Sequence, residues 1–341
     1  MLEHINIKKA SFQQKELLED DELLSVRTVN QCINDAKTRP IPKMLFSEFW
    51  HEGELCILFA DTNSGKSILA VQIANCISNG EVMRGFFFEA AKQPVIYADF
   101  EMSDKQFEKR YSLDYASHYQ FDDNFYRIVI NPDCSNFDDF ENQLFISLEK
   151  TIKETNSKVL IIDNITYLKT QATDTAKEAI PLMKKLNELK KRHDLSILAL
   201  AHTPKRNRYL PIGKNDLGGS KHLANFADSM FAIGESSIDK NLRYLKQLKA
   251  RATEIKYDSD NIILCGLSKP LNFLRFDFID FATENEHLRQ RTDEETNETT
   301  AKIIELKSSN PGYSGYKIAQ ELGINRMTVK RVLDKNGLSN S

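Results

Sequence analysis

Long apolar runs are missing from this 341-residue chain, and no uninterrupted stretch approaches the roughly 20 residues that a membrane helix requires. The segment Met1-Leu2-Glu3-His4-Ile5-Asn6 has no basic stretch followed by an apolar one, so it does not read as a secretory leader. Cysteine is scarce as well. The five cysteines (Cys32, Cys56, Cys76, Cys134 and Cys265) are odd in number and widely spaced, form no C-x-x-C pair, and read as reduced core residues. The expectation is a soluble, cytoplasmic protein with no membrane partner. An excess of one charge is also absent. The net charge of -3 gives no global pull toward nucleic acid, so any such contact has to come from local clusters. No internal repeat is visible at periods of a few tens of residues.

The apolar content of 41% suffices for a sizeable core, and the length fits one large domain with a small one attached. Residues 1–40 are polar and charged, with a short amphipathic helix expected over Lys15 to Leu24, and form a candidate oligomerisation arm. Across 41–282, strand-length apolar runs alternate with helical patterns: Val95 to Ala98, Phe125 to Ile130, Val159 to Ile162, Ile197 to Ala201 and Ser229 to Ile233. That alternation predicts a parallel sheet with crossover helices. Leu242 to Leu248, Ile262 to Leu267 and Phe273 to Phe278 read as antiparallel strands added afterwards. Residues 283–300 are almost wholly polar without an apolar face, which reads as a linker.

Chemistry enters at Ala60-Asp61-Thr62-Asn63-Ser64-Gly65-Lys66-Ser67, between the apolar strand Glu54 to Phe59 and a helical pattern of Ile68, Leu69, Ile73 and Ile77. This is a phosphate-binding loop in its required context. Gly65 lets the backbone wrap an anion, and the N–H groups of Asp61, Thr62, Asn63, Ser64 and Gly65 can face phosphates. Lys66 reaches the β and γ oxygens, and Ser67 ligates magnesium, so ATP and Mg2+ are the expected cofactors. Ala60 departs from the usual leading glycine.

Three further strand ends carry polar groups. Asp163 closes the buried-strand run Lys158 to Ile162, the place of a magnesium-side carboxylate; a strand-end aspartate capping the next turn is the other reading. Because Asn164 rather than glutamate follows it, the base that orients water has to come from elsewhere. Glu101 is the candidate, on the expectation that its strand is adjacent and parallel to the loop strand, with Asp99 as runner-up. An N-terminal acid on the helix starting near Ser103 is the alternative for Glu101. His202 ends the run Ile197 to Ala201 as a candidate γ-phosphate sensor or a structural histidine. Lys205, Arg206, Arg208 and Lys214 then occupy an irregular basic stretch that ends at Leu217-Gly218-Gly219-Ser220. Lys249 and Arg251 share one strand face; they suit a phosphate on a neighbouring subunit, or else an exposed strand edge.

The succession of these motifs, with Asp99-Phe100-Glu101-Met102-Ser103 and Lys249-Ala250-Arg251, resembles the RecA-like ATPase superfamily over roughly residues 41–280. Within it the RepA-type branch is the best match. That branch comprises plasmid replicative hexameric helicases and mobile-element ATPases, and its relative DnaB has a similar Glu-Met-Ser segment and Lys-x-Arg strand. The resemblance implies Glu101 as catalytic glutamate, His202 as sensor, and Lys249 with Arg251 as a trans-acting finger pair. It also implies a DNA-contacting loop over 203–219 that includes Lys205, Arg206 and Arg208, and assembly as a homo-oligomeric ring, expected to be hexameric.

Residues 301–341 hold seven cations against three carboxylates, with helical patterns at Ala301 to Leu306, Tyr316 to Leu322 and Met327 to Leu333. They resemble a helix-turn-helix, with Gly323 in the turn and Ile324, Val329 and Leu333 packed inward. Asn325, Arg326, Thr328, Lys330 and Arg331 would then face single-stranded or duplex DNA. A helical clip that binds protein is the alternative. The combined expectation is an α/β RecA-like P-loop core with a small all-α helix-turn-helix, acting on DNA as an ATP-dependent helicase or translocase. A nucleotide-switched DNA-binding regulator is the alternative, and a phosphotransferase a weaker third for want of an acceptor pocket.

Overall fold

A computed structural model describes residues 24–133, 139–168, 176–204, 206–217, 221–290 and 293–338. Lys205, the Gly218-Gly219-Ser220 run and the helix expected before Leu24 therefore lie outside the described residues, Leu24 itself excepted. The chain divides into two units, Met1–Pro42 and Lys43–Ser341. In the first, α1 (Val29–Lys37) starts at Thr28, whose hydroxyl accepts from Gln31 N at 3.2 Å while Gln31 Oε1 accepts from Thr28 N at 2.8 Å. This reciprocal pair satisfies two otherwise orphaned donors. No residue of α1 is buried.

The second unit begins with the short strands β1 (Met44–Phe46) and β2 (Trp50–His51), followed by β3 (Leu55–Ala60), the phosphate loop and α2 (Lys66–Asn79). Next come β4 (Val95–Asp99), α3 (Asp104–Arg110), the small pair β5 (Ser112–Leu113) and β6 (Ser117–His118), β7 (Phe125–Ile128) and α4 (Phe140–Thr155). The chain continues through β8 (Val159–Asp163), α5 (Ala176–His193), β9 (Ser196–His202), α6 (Lys221–Phe226) and β10 (Ser229–Glu235). Three antiparallel strands close the sheet: β11 (Leu242–Lys249), β12 (Ile262–Ser268) and β13 (Arg275–Ala282).

One nine-stranded sheet results, in the order β13-β12-β11-β10-β3-β9-β8-β4-β7, and from β10 to β7 every pairing is parallel. All six residues of β3 are buried, as a strand covered on both faces demands. Strand alternation sends Cys56, Leu58 and Ala60 into the core beneath α2, and Leu55, Ile57 and Phe59 into the core beneath α4 and α5. The carboxyl ends of the strands are aligned, with Ala60 beside His202 and Asp99 beside Asp163.

Two expectations are corrected here. First, β4 is parallel to β3 but not adjacent to it, because β9 and β8 intervene. Second, the stretch expected as a linker over 283–300 carries α7 (Glu284–His287) and the start of α8 (Asp293–Ser309). Its polar composition concealed a buried anchor. Glu284 is fully buried, and it accepts from Lys246 Nζ at 2.5 Å, Ile212 N at 2.7 Å, Ser259 Oγ at 2.9 Å and Tyr244 Oη at 3.1 Å. A carboxylate with four donors is stable where one without them is not.

The C-terminal region is helical. α8 packs with α9 (Gly315–Leu322) and α10 (Arg326–Lys335) around Ile303, Ile318, Ala319, Val329 and Leu333. Gly323 ends α9 at φ +61°, a backbone conformation that glycine adopts without strain. Asn325 caps α10, its side chain accepting from Met327 N at 2.7 Å.

Candidate nucleotide site

The phosphate loop wraps a cavity of about 180 Å3 lined by Thr62, Asn63, Gly65, Lys66, Ser67, Glu101, Arg110 and His202, among others. Two backbone conformations shape it. Asn63 sits at φ +65°, where asparagine is among the few non-glycine residues commonly found, and Gly65 sits at φ +100° at the head of α2. A Cβ on Gly65 would meet the Phe276 ring of β13 at 2.9 Å, so the added strands press directly on the loop. Gln72 of α2 fixes that contact: its Nε2 donates to Phe276 O at 3.0 Å and its Oε1 accepts from Phe276 N at 2.8 Å.

Lys66 donates through Nζ to Ala60 O at 3.0 Å and Asp61 O at 3.1 Å, and lies 3.2 Å from His202 Nδ1. Burial lowers its pKa, against the opposing pull of Asp163, Glu101 and Asp61. His202 Nε2 lies 3.2 Å from Glu101 Oε1 and 2.9 Å from Asn164 Nδ2, and a proton on Nε2, opposite the Lys66 ammonium at Nδ1, is the form that donates to Glu101 Oε1. Asn164 Nδ2 donates to the same oxygen, while Asn164 Oδ1 accepts from Thr166 N at 2.8 Å and from its hydroxyl. Glu101 is thus held by His202 and Asn164, and its pKa is lowered, first by the His202 hydrogen bond.

Glu101 reaches the loop in spite of the two intervening strands, because the chain after β4 turns back across β8. The turn is set by Phe100 N donating to Asp163 O at 2.9 Å. Asp99, the runner-up base, is otherwise committed. It accepts from Arg127 Nε at 2.9 Å and from Met102 N at 3.0 Å, and so stabilises the turn that presents Glu101.

Asp163 is buried, accepts from Tyr97 Oη at 2.6 Å and receives the hydroxyl of Ser67. Burial pushes its pKa above the ordinary aspartate range, although both hydrogen bonds oppose the shift. A serine hydroxyl beside a buried carboxylate is an all-oxygen donor set that fits Mg2+.

Lys249 and Arg251 are not brought to this cavity. Because β11 runs antiparallel to β10, its end lies at the opposite sheet edge, with Lys249 beside Met230. There Lys249 Nζ donates to Ala227 O at 2.6 Å and Ala224 O at 2.7 Å, and Arg251 pairs with Asp228 at 3.0 Å. Of the loop cations, Arg206 lies 3.6 Å from Asp61 with a side chain only 5% exposed, and Arg208 pairs with Glu235 at 2.7 Å. Lys214 opens a short 3-10 turn within the same stretch. On α10, Arg326, Lys330 and Arg331 are exposed and Thr328 half-buried, while the Asn325 side chain is engaged as a cap.

Arg110 is the residue that sequence reasoning missed. It ends α3, it lines the cavity, and its Nη1 is buried without a hydrogen-bond partner. A basic residue in the last turn of a helix reads from sequence as a complement to the helix dipole. Only the packing of Leu274, whose N–H donates to Arg110 O at 3.2 Å, shows where it sits.

A phosphate loop at the end of a central parallel strand, with flanking carboxylates on neighbouring strand ends, defines a RecA-like P-loop ATPase, a nucleotide-binding class that works with a divalent metal. More particularly, residues 22–208 match the AAA domain family, and the chain belongs to that family. Among solved structures it is similar to a KaiC-like protein from the hyperthermophilic archaeon Pyrococcus horikoshii OT3, at 15% identity and a TM-score of 0.43 over 67% of this chain and 90% of that one. No curated protein matches the sequence. No helix among the described residues is long and apolar enough to cross a membrane.

Proposed function

We propose that the chain is an oligomeric, ATP-hydrolysing motor on DNA, a RepA-like helicase or translocase serving a plasmid or mobile element. The observation that carries the oligomeric part is the separation of Lys249 and Arg251 from their own phosphate loop. Bonded at the far sheet edge to Ala224 O, Ala227 O and Asp228, they are out of reach of their own nucleotide, which supports a role toward that of a neighbour, as in a ring. Burial lowers the pKa of Lys249, and the charge of Arg251 beside it adds to the shift while Asp228 opposes it.

In the proposed mechanism Lys66 leaves Ala60 O and Asp61 O for the β and γ oxygens, and Arg110 supplies its unpartnered N–H to the same triphosphate. Ser67 and Asp163 would hold Mg2+, which supplies charge neutralisation on the β and γ oxygens. Glu101, ionised by its lowered pKa, accepts a proton from the attacking water, and His202 orients it. Exposed Arg326, Lys330 and Arg331 on α10 are the DNA-facing cations of a helix-turn-helix.

A second reading, a nucleotide-switched DNA-binding regulator, is favoured by one observation: Arg206 and Arg208 are held by Asp61 and Glu235 rather than presented to a strand. The test is the ATPase rate with and without single-stranded and duplex DNA, with oligomer size measured in parallel and Lys66→Ala as control. DNA stimulation tied to a ring, together with displacement of a forked strand, is expected. A rate indifferent to DNA and no unwinding would sink the motor and leave the regulator.

A further inference from the structure

The residues that follow His202 form a physical connection between the phosphate loop and the C-terminal helices. On the nucleotide side, the Thr203 hydroxyl donates to Asp61, Arg206 lies beside the same carboxylate, and Arg208 pairs with Glu235, which in turn accepts from the Ser64 hydroxyl at 3.1 Å. Asp61 and Ser64 both belong to the phosphate loop. On the other side, Asn207 Nδ2 donates to Gly323 O in the α9–α10 turn at 2.5 Å. Arg289 N donates to Arg208 O at 3.2 Å, its guanidinium lies 5.3 Å from the centre of the Tyr209 ring, and Ile212 N donates to buried Glu284 at 2.7 Å. Residues 206–212 are therefore clasped between the phosphate loop and the connector that leads to α8.

We infer that this segment is a strap through which a bound triphosphate releases the C-terminal helices. The inference rests on the reading of the cavity as an ATP site. Lys66 Nζ holds Asp61 through its carbonyl and lies against His202, one residue before the strap. A γ-phosphate competes for both groups. When Lys66 turns to the phosphate, Asp61 loses a charge-assisted bond, and the Thr203 and Arg206 anchors on its carboxylate lose their register. The release travels along one short stretch of chain. A diphosphate also draws Lys66 from Asp61 O through its β oxygens, but only a triphosphate carries a further group to compete for His202 at the head of the strap. The output is freedom of the Gly323 turn and of the Arg289 connector, the parts that set where α10 points.

The experiment is hydrogen exchange on the full-length protein with a non-hydrolysable ATP analogue, with ADP, and without nucleotide, read at peptides covering the phosphate loop, 284–290 and 315–330. The analogue is expected to protect the phosphate loop and to raise exchange at Arg289 and around Gly323 about tenfold, as the loss of one such bond allows. ADP is expected to protect the loop with a smaller rise, and a rise equal to that with the analogue overturns the part of His202. Asn207→Ala, which touches no cavity residue, should show raised exchange around Gly323 without nucleotide and little further change with it. Protection of the phosphate loop with no change at 284–290 and 315–330 overturns the strap and leaves the ATP site standing. Protection nowhere overturns both.

Discussion

Glu284→Ala removes the acceptor on which four donors converge, and the cost follows from what remains. Lys246 is 6% exposed and keeps only Ile212 O and Ser259 Oγ, so its ammonium stays buried without a counter-charge. Breaking one side of a buried pair costs about 3–5 kcal/mol. The stranded Ile212 N–H and Tyr244 hydroxyl add to it. At roughly 2–4 °C per kcal/mol for a domain of this size, the main calorimetric transition should fall by about 6–20 °C. The paired replacement Lys246→Met with Glu284→Leu removes both charges together and should recover most of that loss. Differential scanning calorimetry on the two variants decides the matter. A single variant within about 0.5 kcal/mol of the parent, the range of ordinary surface changes, would show that residues 283–290 are a linker after all.

Three more outcomes follow from the site. Glu101→Gln should lower kcat by about 100-fold or more with nucleotide binding retained, measured by single-turnover hydrolysis alongside equilibrium binding. Because burial holds the Asp163 pKa above the ordinary range while His202 holds that of Glu101 below it, Asp163 should set the acid limb of turnover; activity falls as Asp163 gains its proton, and added Mg2+ moves the limb to lower pH. A pH profile insensitive to Mg2+ would count against that assignment. Arg251→Ala should leave monomer ATP binding unchanged and abolish turnover in the assembly. Mixing it with Lys66→Ala subunits should restore part of the activity, since each variant supplies what the other lacks; no recovery argues against a shared site.

The phosphate loop was legible because its chemistry is local: a strand, a turn and a helix in one continuous stretch. The strand ends at Asp163 and His202 were legible for the same reason, as apolar runs that stop at a polar residue. Sheet order was not, since nothing in β4 states that β8 and β9 separate it from β3. Glu101 still arrives at the cavity, but by the turn at Phe100 rather than by adjacency. Arg110, Glu284 and Asn207 were invisible because each owes its role to a partner far along the chain, at Leu274, Lys246 and Gly323 respectively. The Asn325 cap could have been read, for an asparagine before a helical run is a cap signal as readily as a contact for a base.

Trp50 is the only tryptophan in the chain, and it is fully buried beside β3 with its indole N–H 3.5 Å from Glu54 O. The tryptophan emission of this protein, as distinct from that of its 11 tyrosines, therefore comes from one fluorophore sealed under the sheet, on a strand that does not line the phosphate cavity. Its spectrum should stay blue-shifted through nucleotide titrations and move to the red only when the ATPase core itself opens. Binding has to be followed with a labelled nucleotide, while loss of the core can be followed without any label at all.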